Sequence, residues 1–97
     1  MNMISYWKNH KEIYNDDGLV LITGWYNHKN QKSGGIKSLG IHWGTYPQSR
    51  GVLSPCVIPE TTRGAILAGL LHQAVSNAEP QHVASIIEAI EFFNITA

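Results

Sequence analysis

The sequence predicts an α+β domain: an antiparallel meander of three strands followed by two helices. Three observations point there. Leu19–Tyr26 (LVLITGWY) is dense in β-branched and aromatic residues, and Ile36–Trp43 (IKSLGIHW) alternates along its length. Beyond Pro59 the apolar residues recur at helical rather than strand spacing.

The first strand opens after the turn signal Asn15-Asp16-Asp17-Gly18. Asn27–Gly35 is polar and ends in two glycines, as a hairpin loop would. The second strand sets Ile36, Ser38, Gly40 and His42 on one side and Lys37, Leu39, Ile41 and Trp43 on the other. Gly44-Thr45-Tyr46-Pro47 reads as a turn, and Gly51–Ile58 as the third strand. Pro59-Glu60-Thr61-Thr62 starts the first helix, whose apolar face is Ile66, Leu67, Leu70, Leu71, Ala74 and Val75. Gly64 and Gly69 each cost this helix about 1 kcal/mol relative to alanine, which a close approach to the sheet would offset. From Pro80, residues Val83, Ile86, Ile87, Ile90 and Phe93 recur as in a second helix, with a strand over Ile86–Phe93 as the alternative. Residues 1–17 are expected to form a short helix or a loosely ordered segment of a single domain, 1–97.

With 97 residues, 43% of them hydrophobic, the chain suits one thin-cored folded domain. Seven basic and seven acidic side chains cancel, which argues against coating nucleic acid by charge alone. The single cysteine, Cys56, can form neither an internal disulfide nor a zinc site. No signal peptide or apolar run of about 20 residues is present, so the expected location is the cytoplasm, with no membrane partner.

No residue set has the spacing of a metal centre or a nucleophilic triad. The five histidines lack ligand spacing, and Gly34-Gly35 is not followed by phosphate-loop residues. The catalytic and metal sets are therefore expected to be empty. From Tyr26 to Arg50 there are four cations (Lys29, Lys32, Lys37 and Arg50) and no acid, interleaved with rings that can stack on bases.

The order of these blocks resembles ribonuclease H type 1 over residues 19–77. Ser38-Leu39-Gly40-Ile41-His42-Trp43-Gly44 is similar to that family's second strand, G-I-G-V-Y-W-G. Pro59-Glu60-Thr61-Thr62-Arg63-Gly64-Ala65-Ile66 resembles its helix start T-N-Q-R-A-E-I, with Glu60, Thr61 and Thr62 on T-N-Q and Arg63 on the family arginine. Leu21-Ile22-Thr23-Gly24 sits where its first strand reads V-Y-T-D. The family cleaves RNA in RNA–DNA hybrids with carboxylates that hold two metal ions. Here Gly24 and Ala65 replace two of those carboxylates, so the resemblance implies a catalytically inactive, truncated RNase H-like module.

The expected partners are a second copy or another protein, with weak RNA or RNA–DNA hybrid binding as an addition. The expected interface is Ile86, Ile87, Ile90 and Phe93; the expected nucleic-acid contacts are Lys29, Lys32, Lys37, His42, Arg50, Thr61 and Thr62. The alternative is a magnesium-dependent nuclease with rearranged carboxylates drawn from Asp16, Asp17, Glu88 and Glu91. A cofactor, Mg²⁺, belongs only to that alternative.

Overall fold

The computed structural model describes residues 6–27 and 35–94. The elements run β1 (Trp7–Asp16), β2 (Leu19–Tyr26), β3 (Ile36–Trp43), β4 (Gln48–Ser49), β5 (Val52–Leu53), β6 (Cys56–Ile58), α1 (Glu60–Ser76) and α2 (Pro80–Phe93). The architecture is thus α+β, an antiparallel meander followed by two helices. The chain divides between Ile58 and Pro59 into a sheet unit and a helical unit.

An Asp-Gly pair folds the first hairpin. Asp17 and Gly18 both have positive φ (52° and 93°), the backbone that a two-residue hairpin loop demands. The Gly18 N–H donates to Asn15 Oδ1 at 3.3 Å. The segment before the turn is consequently a ten-residue strand, where the sequence suggested a short helix or loose chain. Its periodicity is hidden by two register shifts, between Lys8 and Lys11 and between Glu12 and Tyr14. Each bulge adds a residue and breaks the alternation a strand would otherwise display.

The sheet order is β1-β2-β3-β6, antiparallel throughout. Gly51–Ile58 is not one strand. Val52–Leu53 pairs with Gln48–Ser49, closed by Arg50 and Gly51 at positive φ, and only Cys56–Ile58 joins β3. Pro55 separates the two pieces, because proline cannot donate to a ladder.

Residues directly opposed in an antiparallel pair share a face. One face therefore carries Val20, Ile22 and Gly24 of β2 against His42, Gly40 and Ser38 of β3. Trp7 lies on it, opposite Tyr26, and forms a buried cluster with Val20 and Ile22. The other face carries Leu21, Thr23 and Leu39, which are also buried. Burial on both faces makes Val20–Gly24 a continuous buried run.

The Trp7 indole lies on a floor of two glycines. A Cβ on Gly40 would stand 2.6 Å from Trp7 Cζ2, and one on Gly24 would stand 3.2 Å from Cε3. The indole N–H donates to the Pro55 carbonyl at 3.3 Å, fastening the chain just ahead of β6. Tyr26 meets the indole edge-on, with centroids 5.3 Å apart.

In the helical unit, the Pro59 carbonyl accepts the Thr62 and Arg63 N–H groups of the first turn of α1. α2 begins at Pro80, where a missing N–H costs no helical bond, and ends on Asn94 in the left-handed region (φ 58°). It is a helix along its whole length, so the strand alternative is closed. Leu67 and Ala74 of α1 and Ile86, Ala89 and Phe93 of α2 are the buried positions. The Arg63 guanidinium sits 4.2 Å from the Phe93 ring centroid, a cation–π contact joining the two helices.

Gly69 departs from expectation. No atom lies within 4 Å of where its Cβ would stand, so no close approach offsets its helix cost. Gly69→Ala should therefore raise stability by about 0.5–1 kcal/mol in urea melts; a loss would show that the glycine has a packing role.

The glycine floor makes a sharper prediction. Gly40→Ala should cost about 1–3 kcal/mol by overpacking, and Trp7→Ala about 3–5 kcal/mol. In the double variant most of the Gly40→Ala cost should vanish, since the clashing ring is gone; additive losses would refute the contact.

Tyr26 supplies a pH dependence. Burial pushes its phenol above the ordinary 10.0, helped by Tyr6 and then Cys56. Above about pH 10 the unfolded chain releases this proton while the folded chain keeps it, so stability falls as pH rises through that interval. Tyr26→Phe should flatten the alkaline limb of a stability–pH curve, and an unchanged limb would assign it to other groups.

Candidate functional site

α2 carries two apolar stripes, and they have different fates. Ile86, Ala89 and Phe93 recur at i, i+3 and i+7 and are buried. Val83, Ile87 and Ile90 recur at i, i+4 and i+7 a fraction of a turn away and line open hollows. On α1 the matching stripe is Gly64, Ala68, Leu71 and Val75, also at one-face spacing.

Together these stripes form an apolar groove of about 530 Å³, with His72 and Glu91 as its polar lining residues. A second hollow of about 690 Å³ shares Val75 and Ile87 and runs toward Ala78, Pro80, Val83 and Ala84. Val75 is 61% exposed and Ile87 42%, large values for apolar side chains on packed helices. Gly64 and Ala68 keep the α1 side of the groove low, because neither side chain extends beyond a methyl group. Of the four expected interface residues, Ile87 and Ile90 line this groove, while Ile86 and Phe93 are buried within the chain.

The expected nucleic-acid contacts are dispersed. Lys29 and Lys32 fall outside the described residues. Lys37 is exposed near the start of β3, six positions and about 20 Å from Trp43 at its end. His42 is buried, and its Nδ1–H donates to the Gly44 carbonyl at 3.0 Å. Arg50 is exposed in the β4–β5 turn. Thr61 and Thr62 are exposed in the first turn of α1, and the Thr62 hydroxyl donates to the Pro59 carbonyl at 3.1 Å.

The carboxylates of the nuclease alternative belong to separate elements. Asp16 and Asp17 stand at the β1–β2 turn, Glu88 and Glu91 on α2. Among the described residues, no three His, Cys, Asp or Glu side chains lie together as a metal-binding group. Gly24, the position to which the resemblance assigns a family aspartate, faces the bulge of β1. A Cβ there would meet His10 Cα at 3.0 Å and the Lys8 carbonyl at 3.1 Å, both backbone atoms. Ala65, the other position to which the resemblance assigns a family carboxylate, is exposed on α1.

Two of the rings that interleave the basic stretch form a second surface feature, whose pairing on one turn the sequence reading did not single out. Trp43 and Tyr46 flank the turn after β3 and are 48% and 66% exposed, with ring centroids 6.1 Å apart and planes at 43°. The signal was available in the aromatic–Gly–Thr–aromatic spacing, which places both rings on one tight turn. No helix of the described residues is long and apolar enough to cross a membrane. Comparison with protein-family models, with curated proteins and with solved structures finds no match for this chain.

Proposed function

We propose that the chain is a non-enzymatic, RNase H-like interaction module that associates with a second copy of itself through the α1–α2 groove. The observation that carries this is the exposure of Val75 and Ile87 on a continuous apolar face of the two helices.

The face is self-complementary. It holds a low floor at Gly64 and Ala68 and apolar protrusions at Val75 and Ile87, so a two-fold axis sets the protrusions of one copy into the floor of the other. Its polar lining residues are one imidazole, His72, and one carboxylate, Glu91, which gives each copy a complementary group to offer the other. The sheet edges are poorer candidates. β1 is broken by two bulges and bears Lys8, Lys11 and Glu12, and β6 is only three residues long.

The inactive reading draws support from the seat of Gly24, where backbone atoms crowd any side chain. The RNase H resemblance draws support from β2, β3 and α1 falling on the three blocks that carry it. Nucleic-acid contact has thinner support, because His42 is buried and the Thr62 hydroxyl is engaged.

Light scattering across a concentration series should give twice the chain mass. Ile87→Glu should raise the dimer dissociation constant about 100-fold by placing a charge in the interface, with helical circular dichroism unchanged. A monomer at all concentrations sinks self-association, and a dimer indifferent to Ile87→Glu places the contact elsewhere. A labelled RNA–DNA hybrid should survive incubation with the protein and Mg²⁺. Cleavage that disappears in Glu88→Gln would establish the nuclease instead.

A further inference from the structure

The Trp43–Tyr46 turn is held rigidly and presents its rings to solvent. The Trp43 N–H donates to the Tyr46 carbonyl at 2.7 Å, and the Tyr46 N–H returns a bond to the Trp43 carbonyl at 2.8 Å. Between them Gly44 adopts φ 51°, and its N–H donates to the Gly18 carbonyl at 2.9 Å. That bond fastens this turn to the β1–β2 turn, in which Gly18 follows Asp17. The strand register adds a second link: Asp16 opposes Leu19, and Leu19 opposes Trp43, so all three stand in one row on one face. Two strand spacings, about 10 Å, separate Asp16 from Trp43. Asp16 and Asp17 are both exposed.

Geometry and charge select the ligand. Two rings with centroids 6.1 Å apart leave no room for a flat group between them, since two stacking separations of about 3.5 Å are needed. A ligand must seat over the outer faces or in the open corner made by the 43° tilt. A compact cation in that corner can lie within about 6 Å of both centroids, the range in which ring quadrupoles attract it. The two carboxylates at the same end of the sheet add attraction for a cation and repulsion for a polyanion.

We propose that Trp43 and Tyr46, with Asp16 and Asp17 at the same end of the sheet, bind the guanidinium or ammonium group of a basic peptide segment. The site lies in the sheet unit and is separate from the α1–α2 groove, so it stands or falls independently of self-association.

The test follows the three tryptophan indole N–H signals and the Gly44 and Thr45 amides of the ¹⁵N-labelled full chain. It is run in both the native chain and the Ile87→Glu variant, so that dimerisation does not enter. A capped arginine–glycine peptide should move the Trp43 indole and the Gly44 and Thr45 amides and leave the Trp7 and Trp25 indoles in place. A serine–glycine peptide, a neutral disaccharide and adenosine monophosphate should move none of them. Trp43→Ala should weaken binding about threefold to tenfold, read from the amides, and Tyr46→Ser should do the same. Asp16→Asn with Asp17→Asn should weaken it about threefold and reduce its salt dependence. Shifts caused by the disaccharide or the nucleotide and not by the peptide would overturn the proposal. So would peptide binding that is unchanged in both aromatic variants, or binding of tetramethylammonium without binding of the peptide.

Discussion

The sheet depends on one contact, the Trp7 indole laid across Gly24 and Gly40. The ring spans three strands, with its own chain in β1, its floor in β2 and β3, and its N–H bonded to the carbonyl just ahead of β6. Removing either glycine's vacancy lifts the ring, and removing the ring exposes Val20 and Ile22 beneath it. The same contact bears on chemistry. The resemblance to RNase H would place a metal-binding aspartate at position 24, where a Cβ would press on the β1 backbone at 3.0–3.1 Å and on the indole at 3.2 Å. A side chain at 24 and the indole's seat compete for the same space, so the packing of the sheet favours glycine there whatever the chemistry of the chain.

Much of the fold was legible because its signals are local. Leu19–Tyr26 and Ile36–Trp43 have the boundaries that composition and alternation suggest, and Pro80 marks the first residue of α2. What stayed hidden lacked a local period. β1 carries its buried residues, Trp7 and Ile13, across two bulges, so no alternation survives. Its existence was nonetheless implied by Asp17-Gly18, because a two-residue hairpin loop requires a strand on both sides. The split of Gly51–Ile58 was likewise implied by Pro55, which cannot take part in a central ladder.

The candidate sites were less legible, for a physical reason. Ile86 and Ile87 are neighbours of the same residue type, yet one is fully buried and the other 42% exposed. Sequence gives the apolar width of α2 but not which edge of it a neighbouring element covers. Lys37 and Trp43 look like members of one basic, aromatic stretch when read in line. An extended strand sets them at opposite ends of β3, and the cross-strand register puts Asp16 in the tryptophan's row, two strands away, instead. Charge sign at the aromatic turn is therefore a property of pairing between strands, which no window along the chain displays.

Exposed apolar side chains need no explanation when they are scattered singly over a surface. Here they are grouped, in two places and in two chemically different ways. Val75 and Ile87 border a groove whose lining is almost wholly aliphatic, which favours a broad, water-excluding contact with another apolar face. Trp43 and Tyr46 occupy a narrow turn pinned by reciprocal backbone hydrogen bonds, with carboxylates at the same sheet end, which favours a small charged group held at a fixed point. An aliphatic groove discriminates by shape and area, whereas an aromatic corner with nearby acids discriminates by charge. A chain of 97 residues that sets both out in solvent forgoes burial in an already thin core. The two partners proposed would each recover part of that burial, one by apolar area and the other by electrostatic attraction.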